Sequence, residues 1–179
     1  MNNFSGGGDL AEGIKIVLVL VTGVLLIPII TGIYFHVPPA EISGLVVSIL
    51  ILQPFAIVVG LGLGIEPLPL LLIMCSFGLS VIIGLTGICD LFAEQSEWLR
   101  SHLKKIETVS GKSALLKKYG IYTLIPFIWV PGIGLYGCVL IAWLFRWRGV
   151  LAAGIIFSGW ILATALVLLT SLGIIELVL

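Results

Sequence analysis

The chain has 179 residues, 60% of them hydrophobic and 10% charged, with a mean hydropathy of +1.27. Soluble domains carry about a quarter charged residues, so a cytosolic globule is excluded. Nine basic residues balance nine acidic ones, which removes both the basic excess of a nucleic-acid binder and the acidic excess of a disordered tail. Twenty-two glycines and eight prolines in so apolar a chain point to membrane helices that pack closely and are interrupted. Residues 1–179 read as one all-α polytopic membrane domain.

In chain order, residues 1–13 are polar and glycine-rich and read as a loose tail. Residues 14–35 form a first transmembrane helix, long enough for a ~30 Å hydrocarbon core and longer than a ~7–15-residue signal-peptide core. Pro28 predicts a kink in it. Residues 36–41 read as a polar turn. The run 42–65 is apolar but broken by Gln53-Pro54. Residues 67–89 make a second transmembrane helix that stops at Asp90.

The stretch 90–118 is the longest hydrophilic one. Leu91, Phe92, Trp98, Leu99, Leu103 and Ile106 recur there at helical spacing among Arg100, Lys104 and Lys105, the pattern of an interfacial amphipathic helix. The apolar runs 120–145 and 149–178 follow, separated by Arg146-Trp147-Arg148, and the latter is the third transmembrane helix. Cys75, Cys89 and Cys138 show no metal or disulfide spacing and read as small buried hydrophobes.

Charge placement sets the expected topology. Arg100, Lys104, Lys105, Lys112, Lys117 and Lys118 all lie in residues 90–118, which puts that stretch in the cytoplasm. The run 120–145 has Lys117 and Lys118 before it and Arg146 and Arg148 after it, so a segment that dips in and returns keeps both pairs inside. Pro126, Pro131, Gly132 and Gly134 supply its turn. The run 42–65 mirrors it, flanked by Glu41 and Glu66 and broken by Gln53-Pro54 and then Gly60, Gly62 and Gly64. Both read as re-entrant hairpins, one from each side. The expected arrangement is three transmembrane helices and two hairpins in the cytoplasmic membrane, N-terminus inside and C-terminus outside.

The two broken runs resemble each other. PFAIVVGLGL from Pro54 and PFIWVPGIGL from Pro126 match without a gap at Pro54/Pro126, Phe55/Phe127, Val58/Val130, Gly60/Gly132, Gly62/Gly134 and Leu63/Leu135. An inverted repeat of hairpin plus span is the reading, and broken helices near the midplane recur in transporters. If Gly60 and Gly132 mark the turns, helix N-termini begin there and favour an anion. Gln53, Pro54, Gly60, Gly62, Pro126, Pro131, Gly132, Gly134 and Tyr136 are the candidate substrate-binding residues. Arg146 and Arg148 are candidate headgroup contacts at the interface. No HExxH, nucleophile elbow, P-loop or paired carboxylate is present, so the chain does not read as an enzyme, and no cofactor or metal is expected. No ionisable residue lies deep in a run, which argues against proton-coupled export of cations.

The second broken run, KKYGIYTLIPFIWVPGIGLYGCVLIAWLF from Lys117 to Phe145, resembles the signature of the family known as putative small multidrug export proteins. QPFAIVVGLGLGIEPL resembles that family's first motif, with Gln53 standing where the family carries an acidic residue. The family is a distant relative of the DedA superfamily, and the resemblance implies paired re-entrant hairpins and movement of membrane-lipid carriers. This chain lacks the arginines that superfamily places within the second hairpin. The reading that follows is a carrier or scramblase-like transporter of a small amphiphile or lipid, anionic in charge. Its expected partners are membrane lipids, that amphiphile and a second copy of the chain as a homodimer, with no nucleic acid. A membrane scaffold whose glycine-rich faces bind partner helices is the alternative, and a small multidrug exporter the third.

Overall fold

The computed structural model describes residues 6–95, 124–130, 134–145, 147 and 149–178. Among the described residues all regular structure is helical. Leu10–Tyr34, Pro39–Gly62, Pro67–Ala93 and Val150–Gly173 are each long and apolar enough to cross a membrane. Helices satisfy their own backbone groups, which is what lipid requires. The chain is a multi-pass membrane protein.

The first rod consists of α1 (Gly6–Val21), a π-helical turn (Thr22–Leu26) and α2 (Ile27–Tyr34). Pro28 lacks an N–H, and its ring crowds the carbonyl four residues back. The widened turn lies just ahead of it and absorbs the mismatch. The helix starts at Gly6, well before the expected residue 14; Leu10, Ala11 and Glu12 are strong helix formers that carry it through residues expected to be a tail, while the glycines at 6–8 do not favour it. It closes in a Schellman turn: His36 takes φ 57° and the Val37 N–H donates to the Gly32 carbonyl at 2.9 Å. Pro39 then opens α3 (Pro39–Leu52) at the position where proline is best tolerated. Residues 39–41 are therefore helical, not part of the turn.

A short 3-10 turn (Gln53–Phe55) and α4 (Ala56–Gly62) complete the first broken run. Next comes α5 (Pro67–Gln95), the central helix. It runs six residues past the expected end at Cys89. Asp90 sits within it and accepts a hydrogen bond from Trp143 Nε1 at 2.9 Å. Of the expected amphipathic stretch 90–118, residues 90–95 are thus the end of α5, and the remainder lies outside the described residues. Further on are α6 (Leu124–Phe127), α7 (Gly134–Leu144) and α8 (Val150–Val178).

Small residues seat the first rod on α5. Ser76, Ser80 and Gly84 recur every fourth residue on one face, the spacing that lets membrane helices approach. A Cβ on Gly23 would overlap the Ser80 hydroxyl, while Gly84 admits Leu20 and Gly87 admits Ile16. Ser76 Oγ shares its one hydroxyl hydrogen between the Ile73 carbonyl of its own helix at 2.9 Å and the Gly23 carbonyl across the seam at 3.2 Å. These pairs run in opposite order, so the two helices are antiparallel. On another face of α5, Trp160 of α8 stacks on Phe77 with ring centroids 6.1 Å apart, and its Nε1 donates to the Met74 carbonyl at 2.9 Å. Ala152 and Ile156 share a small cavity with Ile82 and Thr86, so α8 is antiparallel to α5 as well. One continuous core joins α3, α4, α5, α7 and α8.

Candidate functional site

The site is built where the two broken runs meet. Pro54 disfavours the α conformation in the residue before it, and here, unlike at Ile27-Pro28, α3 stops at Leu52. Gln53 takes φ 56° and ψ −124°, the region of the first central residue of a type II′ turn, where glycine is the normal occupant. Holding a glutamine there costs about 1–3 kcal/mol. The turn leads directly into α4, which lies against α3: Gly60 fits between Leu45 and Leu70, and Leu63 lies beside Gly44.

Gln53 is 0% exposed. Its Oε1 accepts the N–H of Leu135, the second residue of α7, at 2.9 Å. The amide therefore caps a helix 82 positions away in sequence, satisfying one of the donors that every helix N-terminus leaves open. The facing group is an N–H, so the amide must present oxygen to it. Its Nε2 has no hydrogen-bond partner, the one buried side-chain nitrogen or oxygen among the described residues left so. An unmet buried donor costs about 1–3 kcal/mol.

Glycine is required at the start of α7. A Cβ on Gly134 would overlap the Ile128 carbonyl and come within 3.0 Å of Gln53 Oε1. The Gly134 N–H itself donates to the Val130 carbonyl at 2.8 Å. Tyr136 completes the junction by donating its hydroxyl to the Leu50 carbonyl at 3.1 Å. That carbonyl would have bonded the N–H of residue 54 in a continuing helix, and proline has none. Cys138 Sγ donates to the Leu124 carbonyl at 3.3 Å, which holds α6 against α7. Beside the junction, Phe55, Val58 and Trp129 line an apolar groove of about 390 Å³ with Leu166, Val167 and Thr170 of α8.

The structure brings together Gln53, Pro54, Gly134 and Tyr136 of the sequence-derived set. Gly60 does not mark the turn: α4 lies back against α3 after the positive-φ turn at Gln53–Phe55, and Gly60 is a packing residue in α4 between Leu45 and Leu70. Gly62 is exposed, and among the described residues nothing lies within 4 Å of a Cβ built on it. Pro126 lies in α6. Pro131, Gly132, Arg146 and Arg148 lie outside the described residues.

The gapless repeat does not carry over residue for residue either. Pro54 and Phe55 form a turn whereas Pro126 and Phe127 end a helix, and Gly62 closes α4 whereas Gly134 opens α7. Sequence reasoning missed Trp129, the Leu50 carbonyl and the Ile128 carbonyl. A tryptophan beside a Pro-Gly turn was a readable signal for the first; main-chain acceptors leave none. Among the described residues no three His, Cys, Asp or Glu side chains gather as a metal group would require. No family model, no curated protein and no solved structure matches the chain.

Proposed function

We propose that this chain is a small carrier or scramblase-like transporter that moves an anionic amphiphile or lipid across the cytoplasmic membrane. The observation that carries the reading is the junction itself: two interrupted helical runs meet in an apolar interior around a strained, half-paired glutamine. Irregular backbone at membrane depth persists only where protein or a wet pathway surrounds it, and transporters place their sites at such breaks. Kinship with the small multidrug export family, and through it with the DedA superfamily, belongs to the same proposal.

In this reading both broken runs are re-entrant. Support comes from the neighbours of the first: α2 ends and α5 begins at the same end of an antiparallel pair, so 39–62 leaves and returns on one side. The second run returns α7 towards Asp90, at the opposite end of α5. Three crossings then remain, with the basic stretch 100–118 in the cytoplasm, the N-terminus inside and the C-terminus outside. A homodimer supplies further protein around the two turns.

Cysteines replacing His36 and Glu66, both exposed, test the first run in a background without native cysteines. Labelling of both by an impermeant reagent from the same side of the membrane is expected. Labelling from opposite sides would make 39–62 a full crossing. Function is tested in proteoliposomes by movement of fluorescent phospholipid and of an anionic amphiphile. Saturable, protein-dependent flux is expected; inertness across the panel would favour the scaffold.

A further inference from the structure

Among the described residues of the junction, every buried side-chain nitrogen and oxygen finds a partner except one. Tyr136 is paired with Leu50, and on the main chain Gly134 is paired with Val130 and Leu135 with Gln53 Oε1. Gln53 Nε2 alone is unmet, in a side chain that is wholly buried. Reversing the amide would not help, because it would set two donors face to face. The unmet donor belongs to the amide that caps the first turn of α7, an 11-residue helix whose N-terminus is the positive end of its dipole. Amide hydrogens and a positive helix end attract the same kind of atom, an oxygen carrying negative charge. Glycine would remove the backbone strain at position 53, so what this position retains is the side chain.

We infer that Gln53 is the selectivity residue of the junction: its Nε2 donates to an oxyanion oxygen of the carried headgroup, phosphate or carboxylate in type, and the junction refuses cations. This deepens the carrier reading and rests on it. Gln53 Nε2 is fully enclosed, so the oxygen reaches the amide only when the Gln53–Phe55 turn and the start of α7 part. It then stands between two donors, Nε2 and the Leu135 N–H, that the closed junction satisfies only in part. The groove walled by Phe55, Val58 and Trp129 lies beside the same turn and receives the apolar part of an amphiphile.

Gln53→Glu reverses the polarity while preserving size. The carboxylate still accepts the Leu135 N–H, a favourable arrangement at a helix N-terminus, but its second oxygen repels an oxyanion. Binding to the purified full chain in neutral detergent is measured by ligand-induced thermal shift. The probes are dihexanoyl phosphatidic acid, the matching diacylglycerol, inorganic phosphate and an alkyltrimethylammonium. The wild type is expected to favour phosphatidic acid over diacylglycerol, and Gln53→Glu to weaken phosphatidic acid by about tenfold or more, as loss of a charge-assisted hydrogen bond implies. Inorganic phosphate binding with the same sensitivity to Gln53→Glu identifies a free anion as the source; response to phosphatidic acid alone identifies a lipid headgroup. Unchanged affinity in Gln53→Glu, or a wild-type preference for the ammonium, overturns the inference.

Should Gln53→Glu fail to fold, the side-chain amide resonance of Gln53 in the ¹⁵N-labelled wild type decides. It is expected to move with phosphatidic acid and not with diacylglycerol, and an unmoved resonance overturns the assignment. Selective binding without flux removes the carrier reading and leaves the site. Flux of an anionic lipid that Gln53→Glu does not alter removes the site and leaves the carrier.

Discussion

Along the seam between α1 and α5, Gly84 and Gly87 admit Leu20 and Ile16, and at the junction of the broken runs Gly134 admits the Ile128 carbonyl and the Gln53 amide. Both are close approaches made possible by a missing side chain. They differ in what surrounds the approach. The seam is an apolar fit with helical backbone throughout, and the Ser76 hydroxyl that crosses it finds a carbonyl. The junction combines a non-glycine at φ 56°, a glutamine with no exposure and a donor with no partner. The strained backbone and the unmet donor each cost about 1–3 kcal/mol in a fold whose net stability is only about 5–15 kcal/mol. Close packing accounts for the seam completely and for the junction only in part. Glycine by itself therefore separates nothing here; incomplete polar pairing does.

The comparison breaks first at Gly134. Its Cβ would meet a main-chain oxygen, which cannot rotate away as a side chain can. Gly134→Ala is expected to lower stability by about 3 kcal/mol, the upper end for overpacking, and to abolish lipid flux. Thermal unfolding in detergent and proteoliposome flux measure the two. Wild-type flux in the variant would show that the junction is only structural.

A smaller effect is expected at the seam. The atoms a Cβ on Gly84 would meet are the branch carbon and methyls of Leu20, side-chain atoms that can shift as a main-chain oxygen cannot, and alanine is the better helix former by about 1 kcal/mol. The two terms oppose, so Gly84→Ala is expected to lower stability by no more than about 1 kcal/mol. Flux per folded molecule should stay at the wild-type level. A collapse of flux at full stability would erase the distinction between seam and junction.

Much of the architecture was legible in the sequence, and the reasons for the rest are physical. Length and apolarity mark the crossing segments because lipid imposes both. Gln53-Pro54 marks a break because proline acts on the residue before it. Position within a glycine-rich run is harder to read. Gly60, Gly62 and Gly64 all resemble a turn, yet only Gly64 adopts positive φ, at +83°, two residues past the end of α4. In lipid the outward faces are as apolar as the inward ones, so hydrophobic periodicity does not show which face meets which neighbour. That is why Gln53 and Tyr136 could be named and their partners, Leu135 and Leu50, could not: both partners contribute main-chain atoms. The Asp90–Trp143 bond was hidden likewise, since an aspartate after an apolar run reads as the end of a helix.

The smallest expected effect lies at Gly62, and it sharpens the comparison from the other side. Gly62 is the last residue of α4, exposed, with no described residue within 4 Å of where a methyl group would stand and no positive φ to protect. An alanine there keeps the backbone it inherits and reduces the freedom of the unfolded chain, a gain of about 0.4–1 kcal/mol at compatible glycines. Gly62→Ala should therefore raise the unfolding temperature slightly and leave flux unchanged, although the sequence aligns Gly62 with Gly134. Paired with Gly134→Ala, it offers the same chemical change at two aligned glycines with opposite expected signs. A loss of flux in Gly62→Ala would mean that α4 presents this face to the substrate, and that the pathway lies along α4 instead of at the meeting of Gln53 and α7.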